Sequence, residues 1–204
     1  MSEHPVVVAV TGASGVVYGQ RLLEVLLQSN IEVHLTISES VRVVAEHELG
    51  LEIDLKNFEV KQLLTSCSLP SEATSKLTYH HCKDFMTPIA SGSFKTRGMV
   101  VCPCSGGTLS GIATAASRNL IQRAADVHLK ERRPLVLVPR EAPLSLIQIE
   151  NMKIACAAGA TILPASPGFY HEANSVKDLV DFVVARIVDQ LGIECDLVKR
   201  WGSD

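Results

Sequence analysis

Arg123, Lys130, Arg140 and Glu141 fall inside one stretch, Met99–Met152, and are of the types needed to hold an anion and manage its protons. Arg123 and Lys130 are seven positions apart, which on a helix sets them on one face about two turns apart. With Arg140 they can line a cationic pocket. Glu141 follows Arg140 with prolines nearby on both sides and is a candidate for proton transfer, although single glutamates, Glu48 included, are more often solvated or capping groups. Near the N-terminus, Thr11-Gly12-Ala13-Ser14-Gly15 links an apolar run to a helical pattern whose first backbone N–H groups are free to hold an anion. The loop is not GxGxxG, and an ordinary tight turn would look alike. Pro103–Thr108 is a second turn of small residues, and Ile89–Ser93 a third, where a flat ligand can approach the backbone.

Other constellations carry less. Tyr79 and Lys83 have a YxxxK spacing, but they lie in the least regular part of the chain and read as a chance match. Cys102-Pro103-Cys104, and His80-His81-Cys82 with His47, do not complete a metal-ligand set, so buried thiols are the better reading. In the run Lys130-Glu131-Arg132-Arg133, Arg132 or Arg133 reads as solvent-facing and Lys130 does not. Arg186 falls off the apolar stripe of the closing helix, which suits either a surface position or one facing a neighbouring subunit.

These residues need a sheet to gather them. Pro5–Thr11, Glu32–Ile37, Met99–Cys102, Leu135–Val138 and Thr161–Leu163 are apolar runs without polar alternation, as in parallel strands covered on both faces. Helices are predicted after Gly15, after Ser38-Glu39-Ser40, over Leu109–Ala116 and Leu120–Lys130 (as two or as one continuous helix), over Leu144–Ala158 up to Gly159, and over Val176–Leu191 with Leu179, Val183, Ile187 and Leu191 as its stripe. A short amphipathic piece is expected around Phe58–Leu64, and the rest of 50–90 carries no clear element. The order βαβα, an irregular region, then βαβαβα winds into a three-layer α/β/α sandwich with a parallel sheet. Ser14, Ser38, Ser105, Arg140 and Tyr170 all follow strands and should meet at one sheet edge.

The chain has 204 residues, 47% of them hydrophobic, which suits one domain spanning 1–204 with a tail from about 192. A net charge of −3 and pI near 6.2 favour a small-molecule ligand over nucleic acid or an anionic membrane. No signal-peptide pattern or membrane-length apolar run is present, and six scattered cysteines suit a reducing cytoplasm with free thiols.

Six segments, TGASGVVYG, DFMTPIASGS, PCSGGTLSGIA, NLIQRAADVHLKERRPLVLVPREAP, ILPASPGFYH and DLVDFVVARI, closely resemble the flavin prenyltransferases of the UbiX family, once described as aromatic-acid decarboxylases. The resemblance implies a flavodoxin-like subunit of a dodecamer. It also implies reduced FMN and dimethylallyl phosphate as substrates, and prenylated FMN as the product for a UbiD-type decarboxylase. Gly12, Ala13, Ser14, Ser38, Ser105, Gly106, Gly107, Thr108 and Arg123 are the implied FMN-binding residues. Lys130, Arg140, Tyr170 and Arg186 would hold the donor phosphate, some across a subunit boundary. Ser14 and Glu48 would relay the proton released when the prenyl group, joined first at N5, closes onto C6. Glu141 would bond a protonated phosphate oxygen, and either it or the phosphate would be the base. Phe85, where some members carry Trp, and Trp201 would form an aromatic wall for allylic cation character. No metal is implied. The alternative is an FMN-dependent cysteine decarboxylase of the related flavoprotein family, which the PREAP segment and the lack of a clear catalytic His disfavour. A non-catalytic FMN-storage subunit is a third reading.

Overall fold

The computed structural model describes residues 4–64, 69–169 and 173–198. Its centre is β1, Val6–Val10, in which all five residues are fully buried. Continuous β-branched sequence produces that result, because both faces of a parallel strand are covered and each fully buried valine contributes about 1.5–3 kcal/mol. The other strands are β2 (Val33–Ile37), β3 (Leu77–His81), β4 (Gly98–Cys104), β5 (Leu135–Pro139) and β6 (Thr161–Ile162). All pair in parallel, in the order β3-β2-β1-β4-β5-β6.

Alternate residues of each central strand feed two cores. Val6, Val8, Val10, Leu35, Val100 and Val136 pack under α1 (Val16–Gln28) and α8 (Val176–Gln190). Val7, Ala9, Met99, Val101 and Leu137 pack under α5 (Gly106–Ala113) and α6 (Leu120–Lys130), with Ala155 of α7 (Leu146–Ala157). The result is the expected three-layer, doubly wound, flavodoxin-like sandwich. Its order reverses between β1 and β4, the topological switch point where such sheets bind ligands.

The short amphipathic piece expected around Phe58–Leu64 is the helix α3 (Val60–Leu63), and the rest of 50–90, which shows no clear element in the sequence, contains the short helix α4 (Ser71–Thr74) and β3, which extends the sheet beyond β2. The helix after Ser40 is α2, Val41–Leu49. Leu109–Ala116 and Leu120–Lys130 do not run together, because the chain turns through positive φ at Ala115 (51°) and Ser117 (45°). On α8 the expected Val183, Ile187 and Leu191 are buried and Leu179 is half-buried, while Val180, Val184 and Val188 widen the buried face.

Candidate active site

At the switch point Thr11, fully buried, ties the two loops together. Its N–H and hydroxyl donate to the Pro103 carbonyl at 3.2 and 2.7 Å, and its Oγ1 accepts the Ser105 N–H at 2.8 Å. The exits of β1 and β4 are thereby held side by side. Ser105 caps α5 by accepting the Thr108 N–H at 3.4 Å and donates to the Thr108 hydroxyl at 3.0 Å. The N–H groups of Gly106 and Gly107 have no partner among the described residues, so α5 offers a free, partly positive N-terminus. A Cβ at Gly107 would meet nothing within 4 Å, which leaves open space beside that backbone. A phosphate or flavin edge fits such a turn.

The α1 N-terminus differs from its expected form. Its N–H groups are not free: Glu48 of α2 accepts from Gly15 at 2.9 and 3.1 Å and from Val16 at 3.2 Å. The anion there belongs to the protein. Burial pushes the Glu48 carboxyl up, but hydrogen bonds from the Ser14 side chain and the Gly15 and Val16 backbone, with the charge of Arg140, more than offset it and bring its pKa below the usual value. Arg140 also donates from Nε to the Ser14 carbonyl at 3.1 Å. Ser14, Glu48 and Arg140 thus form one connected group above β1, while Ser38, at the exit of β2, exchanges a 3.0 Å hydrogen bond with Ser40.

Glu141, on the loop after β5, is exposed and accepts from Gln148 Nε2 at 3.1 Å. Sequence reading missed Gln148; the only available signal was its place three residues after Ser145 in a capping box.

The expected cationic set is divided. Arg123 donates from Nε to the Ala90 carbonyl at 3.0 Å and pairs with Asp126 at 2.9 Å. Lys130, expected to be turned away from solvent, is exposed at the last turn of α6, where it pairs with Glu131, and a Cβ at Gly92 would fall 2.8 Å from its ammonium. Both therefore face the Ile89–Ser93 turn rather than Arg140's partner Ser14. Arg133 is half-buried and bridges the Gly92 and Phe94 carbonyls at 2.5 and 2.6 Å; of the two arginines only Arg132 faces solvent. His128 completes the clamp, with Nε2 2.8 Å from the Thr96 hydroxyl and Nδ1 2.6 Å from the Ala124 carbonyl. Arg186 pairs with Asp189 on α8 and lines a hollow of about 280 Å³ with Thr161, Leu163 and Phe182. Phe85 is exposed at 44%. Tyr170 and Trp201 lie outside the described residues.

Tyr79 donates to the Leu55 carbonyl at 3.0 Å while Lys83 pairs with Glu39, so the YxxxK spacing joins no common site. Cys102 and Cys104 are buried; burial pushes the Cys104 thiol up to about 12. Both are inert core thiols. Among the described residues no three His, Cys, Asp or Glu side chains gather as a metal site would require.

The Flavoprotein family matches residues 1–188. The flavin prenyltransferase UbiX of Pseudomonas aeruginosa is 52% identical over 198 residues, covering 97% of this chain and 94% of that one. The crystal structure of AnUbiX in complex with FMN and dimethylallyl pyrophosphate superposes with a TM-score of 0.85 at 37% identity, over 98% of each chain. A dodecameric FMN-dependent UbiX-like decarboxylase from Escherichia coli superposes at 0.83 with 38% identity, over 98% of this chain and 100% of that one. The FMN-dependent cysteine decarboxylase TvaF shares the fold alone, at 13% identity and a TM-score of 0.58.

Proposed function

This chain belongs to the UbiX flavin prenyltransferases within the flavoprotein family, and from that premise we propose that it transfers the dimethylallyl group of dimethylallyl phosphate to reduced FMN. The observation that carries the reading is the extent of the relation, which spans every strand exit around the switch point. Reduced FMN supplies the nucleophilic N5 and C6 positions. Everything else falls to the protein.

Gly12, Ala13, Ser14, Ser38, Ser105–Thr108 and Arg123 hold the flavin. The free N–H groups of Gly106 and Gly107 supply donors for an anion, and Arg123 sets the small-residue turn at Ala90. Lys130, Arg140, Tyr170 and Arg186 take the donor's phosphate. Lys130 and Arg186 lie apart from Arg140's group, which suits a pocket completed by neighbouring copies. Glu141 bonds the phosphate and shares with it the role of base. The Glu48 carboxylate, hydrogen-bonded by the Ser14 side chain, can receive a proton by way of that hydroxyl. Phe85 and Trp201 form the aromatic wall.

A homo-oligomer, of dodecameric order, fits α7, whose Leu146, Ile147 and Ile154 are exposed at 72%, 75% and 46%. The chain acts as one domain with a C-terminal tail. Its product serves a UbiD-type decarboxylase in the cytoplasm; no described helix is long and apolar enough to cross a membrane. Anaerobic incubation with reduced FMN and the donor, followed by mass spectrometry, should yield a flavin heavier by one C5 unit. Unmodified FMN, with Glu141→Gln indistinguishable from the parental chain, would overturn the reading.

A further inference from the structure

Gln148 has no part in the roles above, yet its side chain joins the two halves of the site. Its Oε1 accepts the Ser145 backbone N–H at 2.8 Å, and only a carbonyl oxygen can do so. The amide orientation is therefore fixed, and Nε2 donates to Glu141 Oε2 at 3.1 Å. Ser145 Oγ in turn accepts the Gln148 N–H at 3.2 Å, which holds the residue at the start of α7 from both ends. Behind the amide lies the flavin turn, since a Cβ at Gly106 would sit 3.2 Å from Nε2. Gln148 is half-buried, while Ile147 and Ile149 on either side are exposed.

We infer that Gln148 is a positioning residue for prenyl transfer: it fixes Glu141 through Oε2, leaves Oε1 for the donor phosphate, and sets the carboxylate against the Gly106 turn. The inference rests on the functional reading above. Glu141 Oε1 has no partner among the described residues, so it is the oxygen available to a ligand. An amide suits the task because it donates a proton to the hydrogen bond at every pH without ionising. It favours the carboxylate form that must accept from phosphate.

The test uses Gln148→Glu and Gln148→Met, each alone and combined with Glu141→Gln. The readouts are single-turnover formation of prenylated flavin, FMN affinity and Tm. Gln148→Glu keeps an acceptor for Ser145 and so keeps the helix cap, but sets a second carboxylate against Glu141. Its Tm should stay parental, its rate at saturating FMN should fall about tenfold, and the acid limb of its pH profile should move to higher pH, because two adjacent carboxylates resist ionising together. Gln148→Met should slow transfer by a similar factor. In the Glu141→Gln background both changes should be silent to within about twofold, since they act through the missing carboxylate. Where Glu141→Gln forms no product, the pH profile of Gln148→Glu decides: a shifted acid limb supports the role and an unshifted one overturns it. Single variants at the parental rate, or an equal loss in both backgrounds, overturn it as well. If the unsubstituted chain forms no prenylated flavin, the functional reading fails and this inference with it.

Discussion

Glu48 closes the N-terminus of α1 from a different helix: its carboxylate takes the Gly15 N–H at 2.9 and 3.1 Å across 33 positions of sequence. Gly15 can present that N–H because it sits at φ 102°, where a side chain would be strained and would press on the Tyr18 ring. The loop that carries Ser14 is thus held by a charge the chain supplies itself.

Removing that charge and removing that cap can be separated. Glu48→Ala leaves the N–H groups of Gly15 and Val16 without an acceptor, at a cost of about 1–2 kcal/mol, a fall of several degrees in Tm for a chain of this size. Glu48→Gln retains an acceptor and should recover most of that loss. Both should slow prenyl transfer, because neither can take the proton. Parental turnover in Glu48→Gln would remove Glu48 from the relay.

His128 makes the fold sensitive to mild acid. Burial lowers its pKa from 6.5 to about 4, against the smaller opposing effect of the Ala124 carbonyl. The unfolded chain takes up this proton below pH 6.5 and the folded chain only near pH 4, so the unfolded state binds more protons in that window. Stability from this group is complete above pH 6.5 and falls as pH drops toward 4, by roughly 2 kcal/mol at pH 5. The Tm of His128→Gln should decline less between pH 7 and pH 5 than that of the parental chain. Equal declines would show that His128 is not the titrating group.

What the sequence disclosed and what it hid follow from the range of the contacts. Val6–Val10 was readable because complete burial leaves an apolar run. β3 was not: it holds its place through Tyr79 on Phe58, with ring centroids 4.5 Å apart, and through His80 stacked on His34 with 2.8 Å between ring nitrogens. Two histidines and a threonine in five positions do not resemble a strand until β2 is beside them. The break between α5 and α6 was hidden for a related reason, since Ala115 and Ser117 adopt positive φ where glycine is the usual signal. The site residues were found by type and by resemblance. Their grouping was not, because Glu48 with Gly15, Arg140 with Ser14 and Arg133 with Gly92 are pairings only the tertiary fold creates.

Gly107 separates a binding role from a structural one. A Cβ there meets no protein atom within 4 Å, and alanine is well tolerated in a helix. Gly107→Ala should therefore keep the parental Tm in the absence of flavin. If the turn holds FMN, the added methyl enters the ligand's space and FMN affinity should fall by about tenfold or more. Flavin fluorescence titration measures it, and an unchanged Kd would take Gly107 out of the flavin site.

Gly92 offers the sharpest test of Lys130. A Cβ at this position would lie 2.3 Å from Glu131 Oε1 and 2.8 Å from the Lys130 ammonium, both ends of movable side chains that pair with each other. Gly92→Ala should fold with nearly parental Tm while displacing the ammonium. A phosphate donor that depends on this charge is then bound less tightly, so the donor KM should rise more than kcat falls. Salt supplies the control, because partly exposed charges are screened within about 10 Å at 0.1 M ionic strength. The parental donor KM should climb with salt, and Gly92→Ala should flatten that climb because part of the screened attraction is already lost. A donor KM indifferent to salt in the parental chain, or equally steep in both proteins, would remove Lys130 from the phosphate pocket.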